Sequence, residues 1–84
     1  MRSDRYDDRV TRQVGAALLR IRERRGRKQC VVADLAGITH SMLSAYEGGR
    51  MCPAVPTLVK VLRALDCSAE EFGRVLGPWG CLPG

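Results

Sequence analysis

The chain has 84 residues, 45% of them hydrophobic, which suits one small domain and excludes a multidomain reading. Its net charge of +5 comes from 12 arginines and 2 lysines set against 9 acids, a balance that favours anionic partners such as nucleic acid or acidic protein surfaces. No apolar run approaches the ~20 residues of a membrane span, and the polar opening MRSDRYDDR lacks the apolar segment of a signal peptide, so no membrane partner and a cytoplasmic location are expected.

The pattern is helical throughout. Val10, Val14, Ala17, Leu18 and Ile21 recur at three- and four-residue spacing, which predicts a first helix from about Asp8 to Arg25. Asp7 and Asp8 suit its N-terminal end, and Arg24 and Arg25 its C-terminal end. Gly26 can then take a left-handed cap. Gly15 is a mid-helix penalty of ~1 kcal/mol that can be offset by close packing. A second helix is expected over about Gln29 to Ala36, with Val32, Ala33 and Ala36 inward. Gly37 follows as a turn residue and Ile38 as a core plug. Thr39 then caps a third helix, about His40 to Glu47. There Leu43 and Tyr46 point inward, and His40, Ser41, Ser44 and Ala45 fall elsewhere on the surface.

After the loop GGRMCPAVP, a fourth helix is expected from about Val55 to Leu65, burying Leu58, Val61, Leu62 and Leu65. Ser68 and Glu71 have the S-x-x-E spacing of a capping box for a fifth helix, which brings Phe72 and Leu76 to the core. The expected division is a flexible arm over 1–9, a domain over 10–76 and an irregular tail over 77–84. The fold class is all-α, a compact bundle of five short helices.

Cys30, Cys52, Cys67 and Cys81 form no C-x-x-C pair, and zinc sites usually bring two ligands close in sequence. No metal and no cofactor are expected. One histidine, no paired acids in a pocket pattern and no glycine-rich phosphate loop leave no reaction to propose, so the chain is not read as an enzyme.

Two short helices joined by a Gly-containing turn make the helix-turn-helix pattern. The wider register makes it specific. The elements LLRIRERRG, QCVVADLAGIT, Leu43, EGG, Pro53 and PTLVKVLRALDCSAEEF follow one another without a gap. Over about Val14 to Phe72 the chain resembles the Cro/cI phage-repressor-like (XRE) family. The resemblance implies the lambda-repressor-like fold, with helices 2 and 3 as the helix-turn-helix and the helix from His40 as the recognition helix in the major groove.

Further roles are implied residue by residue. His40, Ser41, Ser44 and Ala45 would meet base edges. Gln29 would bind a phosphate and brace His40. Thr39 would touch backbone or a thymine methyl, and Arg50 would pair with phosphate. The basic corner, with Arg27 and Lys28, lies beside the start of the second helix and is expected on the DNA backbone. Arg22 and Glu47 are expected as an inward salt bridge from the first helix to the end of the recognition helix. Relatives place the dimer contact in the last helix and tail, here Phe72, Val75, Leu76 and Trp79.

Two departures bear on this. Lys28 stands where the family often has a capping Ser or Thr. Gly48 replaces a frequent Asn or Arg and removes one phosphate contact. The base-reading side chains are short, so direct readout is expected to cover one or two base pairs, at ~1–3 kcal/mol each. The leading expectation is a sequence-specific regulator of double-stranded DNA acting as a homodimer. The competing one is an antitoxin-like or regulator-binding module that engages a protein partner, with DNA contact secondary or lost.

Overall fold

The first helix, α1, runs Ser3–Arg25, followed by α2 (Gln29–Ala36), α3 (His40–Glu47), α4 (Val55–Ala64) and α5 (Ala69–Leu76). The computed structural model describes residues 3–77, with the side chains of residues 8–77. The order is the one that the periodicity predicts. The start of α1 is the largest boundary difference. The helix takes in most of the expected arm.

Each junction has a local cause. After α2, Gly37 adopts φ +73°. Its N–H reaches Asp34 O at 3.1 Å, and the Ile38 N–H reaches Ala33 O at 3.0 Å. This is a Schellman closure, and a residue with a Cβ would be strained at its left-handed position. Ile38 lands half-buried against the core rather than fully inside it. Thr39 caps α3 by accepting the Met42 N–H at 3.0 Å. Pro56 sits in the first turn of α4, where its missing N–H costs nothing.

Ser68 caps α5 by accepting the Glu71 N–H at 3.0 Å. The Glu71 carboxylate accepts from Arg25 at 2.7 Å instead of returning to the cap. Only half of the expected capping box is therefore visible.

The core is aliphatic. Leu18, Ile21, Val32, Leu43, Val61 and Leu65 are the largest fully buried side chains, and Tyr46 and Phe72 close its edges. Leu58 is half-buried beside it. α1 packs on α3 and α5, and α2 packs on α3 and α4. α1 lies unusually close to the end of α3. A Cβ on Gly15 would fall 2.1 Å from the Tyr46 carbonyl oxygen, and one on Gly49 would fall 2.8 Å from Arg12 Cγ. Gly15 cannot be replaced without moving a backbone, and a side chain at Gly49 would have to displace the Arg12 stem. This close crossing sets the angle at which α3 stands on the domain.

Candidate nucleic-acid interface

The outward side of α3 is polar and open. His40 and Ser41 are exposed, Ser44 and Ala45 half-buried. At helical pitch these four share one side, and Leu43, Tyr46 and Glu47, all buried, share the other. Gln29, His40, Ser41, Ser44 and Arg50 line a shallow recess of about 260 Å³. Ala45 lies outside that lining. The recess gathers residues from the start of α2, the outer side of α3 and the turn beyond it.

A chain of side-chain hydrogen bonds holds this face. Arg22 donates from Nε to Glu47 Oε2 at 2.7 Å and from Nη2 to Oε1 at 3.0 Å. Its Nη1 donates to the Arg27 carbonyl at 2.9 Å. Gln29 Nε2 donates to Glu47 Oε1 at 2.8 Å, and Gln29 Oε1 faces His40 Nε2 at 2.5 Å. The Glu47 side chain is only 5% exposed. A carboxylate in such a place is costly unless it is paired and fully hydrogen-bonded, and here it accepts three donors. The pairing raises the Arg22 pKa, chiefly through the hydrogen bond to Glu47. Arg22, Glu47, Gln29 and His40 thus couple α1, the end of α3, the start of α2 and the start of α3.

The basic corner behaves differently from the expectation. Arg27 donates from Nη1 to the Ala64 carbonyl at the end of α4 and does not line the recess. One nitrogen of its guanidinium is thus taken by the protein's own backbone. Carbonyls at a helix C-terminus lack intrahelical partners and favour a cation beside them. Arg25 has the same task, donating to Leu65 O and Asp66 O at 3.0 Å each and to Glu71 Oε1 at 2.7 Å. Sequence reasoning missed this clamp, because main-chain carbonyls leave no residue signature. Lys28 is exposed and makes no side-chain cap on α2.

The Arg50 guanidinium folds back over Gly48, where an added Cβ would lie 2.6 Å from Nη1, the end of an exposed side chain that is free to swing aside. The residues expected at a dimer contact split. Phe72 is consumed by the protein's own core, Val75 and Leu76 are half-buried against it, and Trp79 lies outside the described residues. Burial, and then the charge of Glu71, push the Cys67 thiol up, whereas Cys30 and Cys52 are exposed. Among the described residues no group of three or more His, Cys, Asp or Glu is arranged to hold a metal, and no helix is long and apolar enough to cross a membrane.

The positive charge of Arg50 beside a polar helix face suits an anionic, hydrogen-bonding surface. Comparison with known proteins points the same way. A family model described as helix-turn-helix matches residues 18–72. Over 58 residues the chain is 40% identical to the HTH-type transcriptional regulator PuuR of Escherichia coli (strain K12), a match that takes in 69% of this chain and 31% of that protein. The same figures hold for the protein of that name from Shigella flexneri. The chain therefore spans about three-tenths of the length of these relatives.

Proposed function

Because the chain belongs to the helix-turn-helix family of the Cro/cI type, we propose that it is a sequence-specific regulator that binds double-stranded DNA through the outer face of α3. The observation that carries this reading is the recess at that face, with Gln29, His40, Ser41, Ser44 and Arg50 around it. His40 and Ser41, at the start of α3, reach base edges in the major groove first, with Ser44 and Ala45 one turn behind. Gln29, Thr39, Lys28 and Arg50 take phosphates.

One module of this size gives weak discrimination, and two half-sites a helical turn apart multiply it. The regulator therefore acts as a homodimer. The half-buried Val75 and Leu76, with Trp79 in the tail, are the contact proposed for it.

The deciding experiment is selection of bound sites from random duplex DNA, repeated with His40→Ala and Ser41→Ala. Each variant should lose preference at a base pair, worth ~1–3 kcal/mol where the contact is bidentate. Unchanged specificity in both would assign the reading to another face.

A protein-interaction role is favoured by a different observation. Leu35 on α2 and Val55 on α4 are 63% and 71% exposed, with Val31 and Val59 also uncovered. A module of that kind would show no retarded DNA even at low salt, whereas a DNA binder weakens linearly in log affinity against log salt.

A further inference from the structure

We infer that the side of α1 carrying Arg9, Arg12 and Gln13 is a second contact for the DNA backbone, flanking the site read by α3. The inference rests on the DNA-binding reading above and extends it to a helix outside the helix-turn-helix. Arg9, Arg12, Gln13 and Ala16 fall at i, i+3, i+4 and i+7, one helical face, and line an open recess of about 390 Å³. Among the described residues, no acidic side chain lines it. Two guanidinium groups and an amide at one helical face suit phosphates, which such side chains contact.

The position of this face follows from the close crossing. Gly49, at φ +73°, takes the Arg12 stem against its backbone: a Cβ there would lie 3.2 Å from Arg12 Cα and 2.8 Å from Cγ. Gly48, next door, takes the Arg50 guanidinium. Arg12 and Arg50 therefore lie against one glycine turn, the turn that closes α3. When the first residues of a recognition helix meet base edges, its last turn lies toward the rim of the groove, where the phosphates run. Arg50 serves that rim from the loop, and Arg12, exposed on α1, serves it from the other side. Its stem is already ordered by packing, so less side-chain freedom is lost on contact.

The test is a salt titration of binding to a random-sequence duplex and to selected sites, for the unaltered chain, Arg12→Gln, Arg12→Lys and Arg63→Gln. Gln keeps most of the packed stem and removes the charge. Lys keeps the charge. Arg63, exposed on α4, controls for net charge. Thermal melting checks that each variant is folded.

Arg12→Gln should weaken binding to both DNAs by the same factor and reduce the slope of log affinity on log salt by about one. Arg12→Lys should restore the slope, and Arg63→Gln should leave it unchanged. If the unaltered chain binds and Arg12→Gln keeps its affinity and slope, the α1 contact is overturned and the face passes to an acidic protein surface, while the α3 reading stands. If the unaltered chain retards no duplex at low salt, the DNA-binding reading fails and takes this contact with it.

Discussion

Gln29 Oε1 lies 2.5 Å from His40 Nε2, and the chemistry of the neighbouring Glu47 decides which of them donates. The Gln29 amide nitrogen is bonded to Glu47 Oε1. An ionised carboxylate only accepts, so the amide cannot be turned the other way. Its oxygen must then face His40, and His40 Nε2 must carry the hydrogen. The remaining ring nitrogen, Nδ1, is the acceptor in the neutral ring. The expected outcome is a dominant Nε2–H tautomer of His40 in long-range nitrogen–proton correlation spectra at neutral pH. Gln29→Ala should reduce that dominance to the milder Nε2–H preference that an unpartnered neutral imidazole has by itself. An Nδ1–H tautomer in the unaltered chain would break the link from Glu47 to the reading face.

Glu47 is the residue on which that link depends. Removing it leaves the Arg22 guanidinium, whose side chain is 16% exposed, without its carboxylate, and leaves Gln29 free to turn. Breaking a buried pair by deleting one partner typically costs ~3–5 kcal/mol, of which the partial exposure of Arg22 argues for the lower end, about 3 kcal/mol. Urea unfolding of Glu47→Ala measures this. A loss under about 0.5 kcal/mol, the scale of an exposed pair, would show that the bridge does not hold α3 in place.

Parts of this architecture were legible in the residue order. The aliphatic spacing of α1, Gly37 and Thr39 predict where the chain turns, because each acts locally. Glu47, four residues after Leu43 and on its side of α3, has to find a cation, and the family register supplies Arg22. The Arg25 and Arg27 clamps were not legible. A basic corner can be seen in RERRGRK, but which of its arginines faces solvent and which caps α4 depends on where the α4 carbonyls end up in space.

The Arg25 clamp has a pH signature. The hydrogen bond from Arg25, followed by the charges of Arg25, Arg74 and Arg24, holds the Glu71 carboxyl below its ordinary 4.5. A carboxyl whose folded value is depressed adds stability above its unfolded value and loses it as pH falls through the folded one. Glu71→Gln should therefore be less stable than the unaltered chain at neutral pH. The two should draw together below pH 4.5 as the native carboxyl takes up its proton. Denaturant midpoints across the acid range read the difference. Curves that remain parallel down to the lowest pH would remove Glu71 from the acid response.

Gly15 tests whether the close crossing of α1 and α3 is what aims the reading face. In an ordinary helix interior Gly→Ala stabilises by roughly 1 kcal/mol. Here the added methyl would fall 2.1 Å from the Tyr46 carbonyl oxygen and 3.2 Å from that of Glu47. Both acceptors are backbone, so no rotamer change relieves the overlap, and α1 must lift away from the end of α3. Forcing extra volume into a packed contact costs about 1–3 kcal/mol, which outweighs the helix gain. Gly15→Ala should lower the urea midpoint and also weaken DNA binding. The second effect arises because the Arg22–Glu47 bond spans the same two helices and would be stretched by the movement. A variant that is more stable than the original and binds DNA as well would mean that α1 can shift without carrying α3 with it.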